Sequence, residues 1–279
     1  MIFPTLLLYA VYIILPIGIS AYYSLTKFTG IGAPQFIGLA NYRELAADPL
    51  LLTALKNSFI VLAVSLAILL LFSFLISLLL SKGIKGSGVC KALIFSPAII
   101  APIIVGMLWI FIFDPKIGFI NMLFQNIGLE NLKVEWIGGK IFSPYSIGIV
   151  FVWQQIGFIA TIFIAGLKMV PTEVYEASNI DGANLLQQTI YVTIPLIKDT
   201  IVINAILIIT GSLKVFEIVL QLTNGGPNHL SEVLVTYTYQ TTFMQGRYGY
   251  GMSMAVVTFF ITMLLSAAIS IFNRNSENS

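Results

Sequence analysis

The stretch Val170–Pro195, VPTEVYEASNIDGANLLQQTIYVTIP, decides how this chain is read. It is polar and helix-capable and carries Glu173, Glu176 and Asp181, whereas the flanking runs Ile141–Leu167 and Ile201–Leu213 hold no charge at all. A polar segment lodged between two apolar runs lies outside the lipid. Pro171 suits the first turn of a helix, where no backbone donor is needed, and Thr172 and Glu173 set polar groups beside its positive end. Val174, Ala177 and Ile180 then recur at spacing three, with Glu173 and Glu176 beside them, which predicts a short amphipathic helix. Asp181-Gly182 breaks it, and Asn184–Ile194 forms a second helix that stops near Pro195. Two short helices joined by a glycine turn at a membrane face make a docking knob.

Composition supports a bilayer on either side of that knob. The 279 residues are 58% hydrophobic and 9% charged, with a mean hydropathy of +0.95, against about 25% charged residues in soluble domains. The chain reads as an all-α polytopic membrane protein, a single domain over 1–279. A net charge of +2, with no cluster above three Lys/Arg in ten residues, gives no electrostatic footprint for nucleic acid. Cys90 is the only cysteine, so no internal disulfide can form.

Six spans are expected, at about 2–26, 57–81, 92–113, 141–167, 199–220 and 248–273, with a polar loop over 168–197. Pro4 and Pro16 imply a kink in the first, and Pro97 and Pro102 break the third, which neighbouring helices must then compensate. The first run is too long, and lacks the basic flank, for a cleaved signal. Its abrupt start suggests a few polar residues upstream. Trp136 suits the interface on the outer side. With both termini inside, six Lys/Arg fall inside and seven outside, so the count alone does not orient the chain. The short loop Lys82–Lys91, with three cations and no acid, favours this topology.

Catalytic chemistry is hard to find. Gly83–Gly88 superficially resembles a phosphate loop, yet Val89 stands where the lysine belongs and no strand precedes it. His229 is the only histidine, with no cysteine near it, and reads as a loop residue beside Gly226-Pro227 rather than a metal ligand. Lys214 and Glu217 are charges inside a predicted span. Three residues apart on one helix face, they form either a mutual ion pair or a functional site. Trp153, Gln154 and Gln155 open a polar notch in the fourth span. It serves either helix-to-helix hydrogen bonding or a neutral sugar, whose hydroxyls need partners and whose C–H face stacks on rings.

Glu176-Ala177-Ser178, Asp181-Gly182-Ala183 and Ile194-Pro195-Leu196 together resemble the EAA loop of the membrane subunits of binding-protein-dependent ABC importers, with Ser in place of the second Ala. VWQQIGFIATIFIAGLKMVP at 152–171 and FEIVLQLTNGGP at 216–227 are similar to the carbohydrate-uptake group, on the side of the maltose and glycerol-phosphate permeases. The resemblance runs from Asn57 to Phe272. It implies six membrane helices with a cytosolic coupling loop between the fourth and fifth, in the cytoplasmic membrane of a prokaryote. It also implies a homologous second permease subunit, two ATPase subunits that hold ATP and Mg, an extracytoplasmic solute-binding protein and a sugar substrate. No cofactor or metal is expected on this chain, and no enzyme activity.

Carried over residue by residue, the coupling positions are Glu173, Glu176, Ala177, Ser178, Asp181, Gly182 and Ala183. Glu176 serves as anchor, Ala177 and Ser178 enter the ATPase cleft, and Gly182 sets the bend. The same resemblance points to Gln154, Gln155 and Phe158, then Gly211, Ser212 and Val215, along the substrate pathway. Leu222–Pro227 is the outer turn. A secondary carrier or channel working without ATP is the alternative, but it would call for several intramembrane titratable groups and a repeated broken helix, and the chain shows one charged pair and no repeat.

Overall fold

The computed structural model describes residues 2–81, 86–129, 131, 133–139 and 141–275. Lys82 and Lys85 of the basic loop, the first half of the Gly83–Gly88 stretch, Lys140 and the end of the polar tail lie outside the described residues.

The first helix, α1 (Phe3–Ser24), is uncapped by charge and almost wholly exposed. It widens into a π turn at Ala10–Ile14, where the Leu15 amide reaches back to the Ala10 carbonyl. Pro16 follows at once. A proline lacks the N–H and crowds the carbonyl four residues back, so the wider turn absorbs the misfit without ending the helix. A two-residue hairpin, β1 (Thr26–Lys27) with β2 (Gln35–Phe36), leads to α2 (Ala40–Ala47). The next helix, α3 (Pro49–Ser81), is the longest, and starts eight residues before the expected 57. Asp48 accounts for the difference: its Oδ1 accepts the Leu50 amide at 2.9 Å and Pro49 occupies the first turn, so Lys56 rides inside the helix.

The third expected span is two helices, α4 (Ser87–Ile99) and α5 (Pro102–Phe113), bent by 99°. Pro97 is accommodated inside α4, and the break falls ahead of Pro102. The short α6 (Phe119–Asn126) follows, with Trp136 stacked on Phe113 at 5.5 Å and its indole donating to Asn121 Oδ1 at 3.0 Å. Then come α7 (Ser143–Lys168), the knob helices α8 (Thr172–Ile180) and α9 (Leu185–Leu196), and α10 (Lys198–Leu213), bent by 73° from α9. The chain continues through α11 (Glu217–Leu222), α12 (Leu234–Tyr239) and α13 (Tyr248–Asn275).

Among the described residues four helices, α1, α3, α7 and α13, are each long and apolar enough to cross a membrane, and counting each bent pair as one span gives six. The fifth differs from the expected 199–220: α10 stops at Leu213, and α9, expected wholly in the loop, bends into it. Packing centres on α3 against α7, with Val61, Leu69, Ile147, Val150 and Phe163 fully or almost fully buried. Helix α13 runs antiparallel to α1. The Gly249 amide donates to Phe28 O at the end where α1 finishes, and Lys198 Nζ donates to Asn273 O at the other. Both ends of the described chain therefore lie on the knob's side of the bundle.

Candidate functional site

The knob is built from its own polar groups. Helix α8 closes in a Schellman motif: Gly182 takes φ +78°, its amide donates to Asn179 O, and the Ala183 amide donates to Ser178 O at 3.0 Å. A side chain with a Cβ is strained at that φ, so glycine is the residue for the turn. Helix α9 opens with a capping box, in which Asn184 Oδ1 accepts the Gln187 amide and Gln187 Oε1 accepts the Asn184 amide, both at 2.9 Å. Between the helices, buried Gln188 donates to Asn179 Oδ1 at 2.6 Å, and Tyr175 OH lies 3.2 Å from Thr193 Oγ1. A π turn at Thr189–Thr193 precedes Pro195 just as the one in α1 precedes Pro16.

These contacts leave Glu173, Glu176, Ala177, Asp181 and Gly182 on the outer surface, with Ala183 half-buried. Two expectations are corrected. Ser178 points inward, 8% exposed, with its hydroxyl donating to Tyr175 O, so it is part of the knob's own packing. The inward face of α8 is Tyr175 and Ser178 rather than the Val174, Ala177 and Ile180 row. Ile180 is 87% exposed, and Leu185, Leu186 and Tyr191 on α9 are exposed as well. Spacing three selected the right helix and the wrong face.

Gln154 and Gln155 are neighbours with different fates. Gln154 is 2% exposed, and its amide donates to Ile100 O at 2.9 Å. The bend before Pro102 takes away that carbonyl's partner in the helix, since the Ile104 and Val105 amides turn to Ala101 O. Gln154 is the compensation that the broken third span requires. Gly157, one turn on, lets α7 approach α4, because a Cβ there would fall 2.1 Å from Ile94 O. Gln155 instead opens onto a groove of 280 Å³ between α3, α7 and α10, lined with Phe158, Thr210, Gly211, Leu69 and Phe151. Its amide makes no hydrogen bond among the described residues. Ser212 and Val215 are buried away from the groove, Ser212 donating to Ile209 O. Of the six expected pathway residues, Gln155, Phe158 and Gly211 meet in one groove and Gln154, Ser212 and Val215 do not. Thr210 joins them unpredicted.

The expected Lys214–Glu217 pair is not formed. Gly211 and Ser212 are weak helix formers, and the last turn of α10 tightens as the Lys214 and Val215 amides donate to Gly211 O and Ser212 O. Lys214 and Glu217 fall on either side of the break, both exposed, and neither forms an ion pair among the described residues. One residue that the sequence did not single out lies beyond that break: Glu232 is 1% exposed, 3.2 Å from His229 Nδ1 and accepting Thr236 Oγ1 at 2.5 Å. Asn57 ties the same turn to α3 through the Leu230 and Glu232 carbonyls. On the same side, Asp48 Oδ2 accepts both Tyr237 OH and Tyr250 OH at 2.6 Å, and Arg247 pairs with Glu44. Burial pushes the Asp48 carboxyl up, but the tyrosines and the Leu50 and Leu51 amides outweigh it and hold it below the usual range. Among the described residues, neither amide atom of the fully buried Asn204 on α10 has a partner, and nor does the buried Ser65 hydroxyl on α3. Among the described residues no group of three His, Cys, Asp or Glu could hold a metal.

A membrane bundle with a self-braced polar knob and a lined groove is the architecture of a transporter's membrane subunit. Residues 73–279 match the family model described as the binding-protein-dependent transport system inner membrane component, and the chain belongs to that family of ABC importer permease subunits. It is 32% identical over 93% of its length to the probable ABC transporter permease protein YurN of Bacillus subtilis, covering 90% of that protein. It is 33% identical over 94% of its length to the trehalose/maltose transport system permease protein MalF of Thermococcus litoralis, covering 88% of it. Its fold matches a chain in the crystal structure of a bacterial alginate ABC transporter in complex with a pentasaccharide-bound periplasmic protein. There the TM-score is 0.84 at 20% identity, over 99% of this chain and 93% of that one.

Proposed function

We propose that this chain is one half of the translocation pore of an ATP-driven importer for a sugar or oligosaccharide, coupled to a separate ATPase through residues 168–197. The observation that carries the reading is the knob. Its polar groups are satisfied internally by the Gly182 turn, the Asn184 cap and the Asn179–Gln188 strut, while Ile180, Leu185, Leu186 and Tyr191 stand exposed, as do Glu173 and Glu176. A rigid projection with exposed apolar side chains fits a partner protein, since preorganisation lowers the cost of docking. On this reading Glu176 anchors the knob, Ala177 enters the ATPase cleft, and the knob lies in the cytosol with both termini.

On this reading a homologous second subunit, two ATPase chains carrying ATP and Mg, and a solute-binding protein outside complete the assembly; the periplasmic protein in the alginate transporter structure is in keeping with the last. ATPase closure pulls on α8 and α9. Because α9 bends directly into α10, the pull reaches the helix that carries Thr210 and Gly211 into the groove. The two states of the bundle differ in what the knob contacts, which any ligand-driven switch requires. The groove, with an unpaired Gln155 amide, Thr210 and the Phe158 and Phe151 rings, has the donors, acceptors and aromatic faces that a saccharide uses.

The test is co-purification of the knob-intact chain with its companion chains, followed by reconstitution with the binding protein. Saccharide should accumulate only when ATP is supplied on the knob's side. Accumulation by this chain alone, driven by an ion gradient, would instead establish the secondary-carrier alternative.

A further inference from the structure

We infer that a glycerophospholipid of the leaflet on the knob's side binds between the knob and the bundle, with one acyl chain laid along α3 and its phosphate at Lys168 and Thr172. The inference needs a bilayer around the bundle but not the importer reading, so each can fail alone.

Two concavities carry it. The first is an apolar trough of 630 Å³ lined by Leu66, Leu70 and Phe74 of α3 with Phe163, Ile194 and Ile201. Ala63 and Ala67, small and exposed on α3, keep it open. The second is a cavity of 480 Å³ whose polar lining includes Ser81, Lys168, Thr172, Tyr175, Gln188 and Thr189. The two join end to end. Leu78 and Leu167, each one turn beyond Phe74 and Phe163 on the same helix, line the cavity, as does Thr193, the neighbour of Ile194. Ala63 and Phe74 lie about 16 Å apart along α3 at ~1.5 Å per residue, close to half of the roughly 30 Å hydrocarbon core. The trough is thus about as long as one leaflet is deep, and it gives way to the polar cavity at the last turn of α3.

Any membrane helix meets acyl chains in passing. What makes this a site is the polar end of the trough and the state of its groups. The Ser81, Thr189 and Thr193 hydroxyls donate to Leu78 O, Leu185 O and Gln188 O, and the Gln188 amide donates to Asn179 Oδ1. Their donors are committed, and the hydroxyls keep lone pairs for a headgroup's own protons. Lys168 and Thr172 are exposed and their side chains make no hydrogen bond or ion pair among the described residues. Thr172 also opens α8, where the helix's positive end favours an anion. Glu173 and Glu176 do not line the cavity. Free donors gathered at the end of an apolar trough match a phosphodiester joined to an acyl chain. Because Thr172 and Gln188 belong to the knob and Ser81 and Lys168 to the bundle, the lipid braces one against the other and favours this arrangement over any in which the knob has moved.

The purified full chain, reconstituted in nanodiscs of phosphatidylethanolamine and phosphatidylglycerol and then extracted in detergent, tests this by native mass spectrometry of the phospholipid it retains. The wild-type chain should keep a phospholipid. Lys168→Gln, which removes the cation, and Ala67→Trp, which fills the trough, should each lower retention about tenfold, the worth of one charge-assisted contact or more. Lys168→Arg should keep most of it, and Leu79→Trp, exposed on α3 outside both concavities, should leave it unchanged. In the assembled complex, with Cys90→Ser, a photoactivatable maleimide on Ala67→Cys should cross-link to phospholipid. A wild-type chain that retains none would overturn the inference, as would retention within about twofold of wild type in either Lys168→Gln or Ala67→Trp. Cross-linking of Ala67→Cys to a companion chain in place of phospholipid would also overturn it and assign the trough to subunit pairing.

Discussion

The knob and the bundle above it treat polar groups in opposite ways. In the knob, Asn179, Asn184, Gln187 and Gln188 hydrogen-bond one another or the adjacent backbone, while the large apolar side chains of Ile180, Leu185 and Leu186 remain outside. In the bundle, among the described residues, Asn204 and Ser65 are fully buried without partners and Gln155 opens onto a groove unbonded, while Lys214 lies exposed at a helix break. A segment whose polar groups are satisfied internally is rigid and presents a fixed surface. A segment with polar groups left over has room for a ligand or for a second arrangement.

The largest effect should come from the turn that holds the knob together. Gly182→Asp forces a side chain into a left-handed backbone, at a cost of about 1–2 kcal/mol, and adds a charge next to the exposed docking surface. Membrane insertion should persist while ATP-driven uptake is lost, as seen by comparing protein level with transport. Uptake at wild-type rates would show that the knob's shape is not what the ATPase recognises.

The two glutamines sharpen the contrast next. Gln154→Leu strands the Ile100 carbonyl and should cost about 1–3 kcal/mol of stability, read as a lower melting temperature in detergent. Gln155→Leu removes no internal bond, so the melting temperature should hold while saccharide uptake falls. Equal melting temperatures for both variants would deny Gln154 its bracing role.

Asn204 offers a test in the other direction. Asn204→Leu replaces two unpartnered buried atoms with an apolar group of similar size and should stabilise the purified chain, by about 1 kcal/mol or more. A loss of stability would mean that Asn204 is partnered after all, within the assembled bundle. The smallest effect belongs to Asn184→Ala, which removes the cap of α9 and should cost about 1 kcal/mol, visible as faster amide exchange over residues 185–188. Unchanged exchange would make the capping box incidental.

Much of this was legible in the sequence, and the failures share a cause. Runs without charge located the apolar helices, and Gly182 with Asn184 located the knob, because bilayer thickness and backbone conformation act on local sequence. Pro102 announced a break, yet nothing local told Gln154 from Gln155; which of them faces the stranded carbonyl depends on how α7 rotates against α4. Lys214 and Glu217 looked like a pair under the assumption of a continuous helix, and the tightened turn after Gly211-Ser212 removed that assumption. Glu232 escaped notice because its burial follows from the way the turn beyond α11 folds back on Asn57.

The central claim, that the knob is a cytosolic docking surface for an ATPase that this chain does not contain, is tested most directly by labelling. In a Cys90→Ser background, Ile180→Cys should react with a membrane-impermeant maleimide only in inside-out vesicles, and bound ATPase subunits should block the reaction. Labelling of Ile180→Cys from outside intact cells would contradict the account.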